Sequence, residues 1–198
     1  MFGGAFDPPH HAHVALARAA VEQLALDELR IVPTGQAWHK ARELSAPEHR
    51  LAMTRLAFAA LPGAVVDERE LRRAGASYTI DTLAEFAAEQ LGAALFLVLG
   101  ADQARLLTHW HRWQEILQLA TVSIAGREDN TGATAAFDWE NAAGARIRTL
   151  RLAPMPESAT AVRALAAMPG VTVTELARMV PESVARYIAR HHLYQSAR

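Results

Sequence analysis

The sequence predicts an α/β domain, an open parallel sheet with helices on both faces, followed by a helical tail over about residues 153–198. Three observations carry this expectation. Short β-rich runs alternate with longer helical stretches. The run Leu95-Phe96-Leu97-Val98-Leu99 is continuously apolar, as a strand covered on both faces must be. The chain has 198 residues, 51% of them hydrophobic, enough for one well-buried domain and too few for a multidomain enzyme. Strand–helix alternation argues for parallel strands joined by right-handed crossovers.

Taken in order, the strands are expected at Leu29 to Pro33, Ala64 to Asp67, Leu95 to Leu99, Thr121 to Ala125 and Arg146 to Leu152. The first helix is read from Val14, Ala17, Val21 and Leu24 at three- and four-residue spacing. Leu51, Arg55, Phe58 and Leu61 give a second, introduced by Pro47, a favourable first-turn residue. A third runs from Thr79 to about Leu91, and shorter ones cover Ala104 to Leu107 and His111 to Leu119. Pro181-Glu182-Ser183 opens the last helix, with Val184, Tyr187 and Ile188 on its apolar side. Asp129 to Gly144, rich in Asn, Gly, Thr and Ala, reads as a surface connection.

Composition narrows the function. Twenty basic against twenty-one acidic residues leave a formal charge of −1, so no global field recruits nucleic acid or an anionic membrane. A polyanionic ligand would need a local cluster of positive charge. With no cysteine in the chain, disulfides, thiolate zinc sites and cysteine nucleophiles are excluded. No apolar run reaches the roughly 18 residues of a membrane span, and no basic-then-apolar leader opens the chain. The expectation is a soluble, cytoplasmic protein.

The sharpest local feature is Gly3-Gly4-Ala5-Phe6-Asp7-Pro8-Pro9-His10-His11-Ala12-His13. Two glycines let a backbone turn approach a ligand, and Pro8-Pro9 stiffens the exit. The helix that follows offers unpaired N–H groups and a positive dipole end, a seat for phosphate. His10 and His13 are three apart, so both can face one anion, and a bound polyanion would favour their protonation. Two plainer readings stay open: a helix start with surface histidines, and a zinc site using Asp7 with the histidines.

Gly3 to His13 resembles the Gly-Gly-(Thr/Ser)-Phe-Asp-Pro-x-His-x-Gly-His signature of the HxGH nucleotidyltransferase superfamily and, more narrowly, of the bacterial nicotinate-nucleotide adenylyltransferases. Ala5 replaces the usual hydroxyl residue and Ala12 the motif's glycine. The resemblance implies a Rossmann-like fold over 1–198 as a single domain. It also implies ATP binding by Gly3, Gly4, Phe6, Asp7, His10 and His13.

Further segments match in order. Pro33 to Lys40 resembles the family's loop ending in Pro-His-Lys, with Trp38 where proline is usual, and implies that Lys40 closes near the phosphates, with Arg42 close by. A solvated loop lysine is the plainer reading. Ser77-Tyr78-Thr79-x-Asp81-Thr82 resembles a segment whose backbone N–H groups hold the carboxylate of a pyridine ring. Tyr78 and Thr79 are thereby assigned to the mononucleotide, and Ser77 or Thr79 would also serve as an N-cap. Asp102 follows the strongest strand, where ligands of open α/β sheets lie, though it too reads as a possible cap. The resemblance aligns Trp110 with a tryptophan stacked on the pyridine. Trp113 is assigned to packing, and His109 and His111 to exposed turns.

Ser158-Ala159-Thr160-Ala161-Val162-Arg163 resembles the superfamily's Ile-Ser-Ser-Thr-x-Ile-Arg. Glu157 and Ala159 depart from it. Ser158, Thr160 and Arg163 keep hydroxyls at a helix start and a permanent cation one turn on, which the resemblance assigns to ATP. The C-terminal run Pro181 to Tyr194 also matches and is read as structural.

The implied reaction joins ATP and nicotinate mononucleotide to give the deamido dinucleotide and pyrophosphate, a step of NAD biosynthesis. Its catalytic residues would be His10, His13, Lys40 and Arg163. Mg²⁺ would be held mainly by the phosphates and water, with no protein metal site. The partners expected are these two small molecules, neither nucleic acid nor membrane, in a monomer or small homo-oligomer. The alternatives are an adenylyltransferase for nicotinamide mononucleotide or a phosphopantetheine, a His-rich metal hydrolase, and a non-catalytic nucleotide sensor. This fold also calls for a central strand of roughly five residues before Gly3. Only Met1 and Phe2 stand there, so the natural start is expected several residues upstream.

Overall fold

A computed structural model of the chain describes residues 1–35, 44–126 and 146–195. Among these, six strands form one parallel sheet: β1 (Phe2–Gly4), β2 (Leu29–Pro33), β3 (Ala64–Val66), β4 (Leu95–Leu99), β5 (Ala120–Gly126) and β6 (Ile147–Arg151), in the order β3-β2-β1-β4-β5-β6. Connecting and covering it are α1 (His11–Leu24), α2 (Pro47–Phe58), α3 (Arg69–Arg72), α4 (Thr79–Glu89), α5 (Ala101–Leu106), α6 (Trp113–Leu119), α7 (Ala159–Ala166), α8 (Val173–Leu176) and α9 (Glu182–Arg190). This is the doubly wound α/β arrangement, whose strand order reverses between β1 and β4.

The five strands expected downstream of the glycine pair are all present, with ends that shift by no more than one residue. The helix expected from His111 starts instead at Trp113, because Arg112 lies in the left-handed region at φ +52. The helix expected at Ala104 begins three residues earlier, after an extended Gly100. The strand expected ahead of Gly3 contains it: β1 spans three residues and its two glycines pair with Val32 and Pro33 of β2. The Met1 amine donates to the Phe96 carbonyl at 2.7 Å, and the Val98 N–H donates to the Met1 carbonyl at 2.9 Å.

Strand periodicity divides the core. Val98 joins one hydrophobic cluster with Phe2 and Ile31, while its neighbours Leu97 and Leu99 join another, since successive side chains leave opposite faces of a sheet. The first face is covered by α1, α2, α7, α8 and α9 through Leu16, Met53, Phe58, Val162, Leu176 and Ile188. The second is covered by α4, α5 and α6 through Ile80, Leu83, Ala104 and Ile116. Helices on both faces are therefore established.

One face assignment is corrected. The buried side of α2 is Arg50, Met53, Thr54, Ala57 and Phe58, with Arg55 exposed and Leu61 beyond the helix end. An arginine had no apolar signal to mark it as inward-facing, and its carbonyl partners lie outside the helix. Among the described residues no helix is long and apolar enough to cross a membrane.

Candidate active site

In a doubly wound sheet the connections after neighbouring strands diverge where the order reverses, and a crevice opens beyond the strand ends. Here β1 pairs with β4 only at Phe2↔Val98. Beyond that pair the strands part, and a cavity of about 1240 Å³ opens over Gly3 and Gly4. It runs from the start of α1 to the start of α7 on one side, and to the starts of α4 and α5 on the other.

Gly4 is required by close approach. A Cβ there would lie 3.1 Å from the Phe6 ring. Phe6, at φ +46, turns its ring into the core, 1% exposed and edge-on to His13 at 5.2 Å. Phe6 thus supports the loop from beneath. The Asp7 carboxylate, 2% exposed, accepts from the Tyr194 hydroxyl at 2.8 Å and from the Ser45 N–H at 3.1 Å. The Asp7 carbonyl accepts from Arg163 at 2.7 Å. This loop is therefore tied to the C-terminal tail, to the segment before α2 and to α7.

His10 holds the N-cap position of α1 without a side-chain cap hydrogen bond, and its ring lies 3.7 Å from that of His13. The His10 N–H donates to His13 Nδ1 at 3.2 Å. A neutral His13 then carries its proton on Nε2, the form that donates to an anion's oxygen. His10 is 7% exposed, and burial pushes its pKa down to about 4, opposed by Glu157 and reinforced by His11. Burial thus favours the neutral form of the His10 ring at pH 7. His11 turns away, with Nε2 3.1 Å from the Ala177 carbonyl. Asp7 and His11 are thus directed away from the His10–His13 pair. Among the described residues no three such groups gather to hold a metal.

Opposite this loop, the Ser158 side chain accepts from the Ala161 N–H at 3.2 Å, the cap its position in the sequence suggested. Arg163 donates to the Thr160 hydroxyl at 3.1 Å as well as to the Asp7 carbonyl. Ser158, Thr160 and Arg163 line the cavity beside His10, His13 and Ala12.

At the far end, Tyr78, Thr79, Asp102 and Trp110 also line the cavity. Neither Ser77 nor Thr79 caps α4. The cap position is Tyr78 without a side-chain acceptor, and the Ser77 hydroxyl donates to the Glu70 carbonyl at 3.4 Å. A helix start without a capping side chain is open to an anion. Asp102 is not a cap either: Gly100 holds that position, and Asp102 is an exposed first-turn residue paired with Arg105. Trp113 packs against the second core cluster. Lys40, like Trp38 and Arg42, lies outside the described residues, as does the connection from Asp129 to Gly144.

Three residues of this region carried no signal in the sequence. Arg50, 2% exposed, donates to the carbonyls of Ser45 at 3.0 Å, Ala5 at 3.1 Å and Thr34 at 2.6 Å. Glu70 is buried on the cavity wall, where burial raises its pKa and the Thr82 hydroxyl donates to it at 2.8 Å. A Cβ at Gly35 would meet the Glu70 carbonyl at 2.1 Å, which locks the end of β2 against α3. His111, exposed as expected, also reaches the cavity, its ring 4.4 Å from that of Tyr78.

Residues 1–165 match the family model described as cytidylyltransferase-like, which together with the sheet order and the crevice defines a nucleotidyltransferase. The chain is 57% identical over 197 residues to a probable nicotinate-nucleotide adenylyltransferase of Albidiferax ferrireducens, covering 100% of this chain and 98% of that protein. It is 42% identical to a relative of the same name from Methylibium petroleiphilum, covering 100% and 92%. The chain belongs to the nicotinate-nucleotide adenylyltransferase family. Its fold is also that of Plasmodium falciparum nicotinic acid mononucleotide adenylyltransferase complexed with NaAD, with a TM-score of 0.77, 15% identity and coverage of 98% and 95%.

Proposed function

We infer that this protein transfers the adenylyl group of ATP to nicotinate mononucleotide, forming nicotinate adenine dinucleotide and pyrophosphate in NAD biosynthesis. The observation that carries this reading is one continuous cavity with different chemistry at its two ends. Histidines, hydroxyls and Arg163 line one end, and an uncapped helix start beside Trp110 lines the other.

The 5′-phosphate of the mononucleotide attacks the α-phosphorus of ATP in line, and pyrophosphate leaves. That nucleophile is already anionic at neutral pH, so the protein supplies position and charge stabilisation and no general base. Gly3 and Gly4 let the backbone approach the nucleotide, above the wall formed by Phe6 and Asp7. His13 donates from Nε2 to a phosphate oxygen, His10 adds a second imidazole, and Ser158, Thr160 and Arg163 face them from α7. Lys40 is assigned to the phosphates on the family pattern. Magnesium enters as part of the substrate, chelated by ATP, where it neutralises phosphate charge.

For the mononucleotide, the first N–H groups of α4 at Tyr78 and Thr79 receive the pyridine carboxylate. A carboxylate gains more from N–H donors than an amide does, which selects nicotinate over nicotinamide. Trp110 offers an indole face to the electron-poor ring, and Asp102 lies on the same rim. The chain acts as one domain, since helices α8 and α9, beyond the family match, complete the core under α1. Incubation with Mg-ATP and nicotinate mononucleotide is expected to release one pyrophosphate per dinucleotide formed. Binding of both substrates without pyrophosphate release would make the protein a sensor and reject the reading.

A further inference from the structure

Glu157 has no part in the mechanism above, yet it lines the same cavity as His10, immediately before the Ser158 cap of α7. Its Oε2 is buried without a hydrogen-bond partner among the described residues, and so is Nδ1 of His10. Buried polar atoms are ordinarily paired, because leaving them unmade forfeits the hydrogen bonds they had with water. Two such atoms, an acceptor and a ring nitrogen, belong to residues that line one cavity. The motif that this segment resembles has isoleucine where this chain has Glu157.

We propose that Glu157 is a positioning residue for His10, its carboxylate accepting the Nδ1 proton of a doubly protonated ring when the ATP phosphates occupy the cavity. The proposal rests on the adenylyl-transfer reading. The charged and titratable groups around His10 come from its own loop and helix and from the segment leading into α7. Asp7, His11 and His13 lie on the first, Glu157 and Arg163 on the second. The Asp7 carboxylate is engaged by Ser45 and Tyr194, and Arg163 donates to the Asp7 carbonyl and to Thr160. His11 disfavours a charge on His10, whereas Glu157 favours it.

Without a bound anion, burial outweighs Glu157 and favours the neutral His10 ring. Phosphates add negative charge beside the ring and raise its proton affinity. For the other ring nitrogen to donate to phosphate while Nδ1 also bears a proton, Nδ1 needs an acceptor. Glu157 supplies it. The proton comes from solvent on ATP binding and returns to solvent when the products leave; no bond to phosphorus passes through the ring. The imidazolium also offsets the repulsion between Glu157 and the phosphates, so a carboxylate is tolerated where an apolar residue would be the safer choice.

The test follows His10 by nitrogen-15 NMR, in free protein and in the complex with a magnesium-bound, non-hydrolysable ATP analogue. The wild-type complex is expected to hold an imidazolium at His10, with a titration midpoint about one pH unit or more above that of the E157Q complex. E157D, which keeps the carboxylate, is expected to restore the wild-type pattern. The alkaline limb of kcat should move to lower pH in E157Q, with KM for ATP changed by no more than about twofold. The same His10 protonation in wild-type and E157Q complexes would overturn the proposal. So would a lower KM for ATP in E157Q with an unmoved pH profile, the mark of simple repulsion. Failure of the wild-type protein to bind the analogue would overturn the underlying reading instead, and the proposal with it.

Discussion

His10 and His13 sit three residues apart and stack at 3.7 Å, yet their chemistry differs. The backbone bond to His13 Nδ1 selects a donor tautomer, whereas burial governs His10. Replacing His13 by Ala removes that donor and is expected to lower kcat by about 10²-fold, the scale of a lost electrostatic stabiliser; single-turnover rates measure it. His10 also couples the fold to pH. Its folded pKa of about 4 lies below its ordinary 6.5, so the unfolded chain takes up the proton first as pH falls. Stability is full above the ordinary value and declines between 6.5 and 4, by up to about 3 kcal/mol. Urea unfolding of wild type should therefore lose more stability from neutral to acidic pH than unfolding of His10→Asn. The histidines were legible in the sequence because they lie in one local motif. The burial that separates their roles was not, since it depends on α7 and the tail.

At the scale of elements, the loop that follows β1 is held by parts distant in sequence. Arg50 on α2 gathers three carbonyls from two loops and the segment before its own helix. Arg50→Met is expected to destabilise the fold by about 3–5 kcal/mol, because it strands those carbonyls. Arg50→Lys should recover little of that loss, since an ammonium lacks the guanidinium fork; thermal unfolding of both variants checks this. The strand over 95–99 was readable as an apolar run, and α1 by its periodicity. The start of α4 at Thr79 was legible but its cap was not, because Ser77 has the chemistry of a cap but spends its hydroxyl on Glu70. The inward face of α2 was misread for a related reason: a buried arginine and threonine, Arg50 and Thr54, carry no hydrophobic signal.

The whole molecule answers a question its composition raises. On the proposed function, a chain of formal charge −1 would serve a polyanion through imidazoles, hydroxyls and Arg163 that the fold gathers at strand ends and helix starts, from segments some 150 residues apart. Length, alternation and motif order sufficed to anticipate the doubly wound sheet. The glycine pair proved to be part of the central strand itself, because a parallel ladder accepts glycine where a ligand must approach. The ties that Tyr194, Ser45 and Arg163 make to Asp7 were invisible, being contacts between distant segments with no periodic trace. The central claim is adenylyl transfer directed by the carboxylate of the pyridine. Its most direct test is the ratio of kcat/KM for nicotinate over nicotinamide mononucleotide with Mg-ATP. A ratio of about 10² or more is expected where a site built to bond one group meets its poorer analogue; a ratio at or below unity would contradict it.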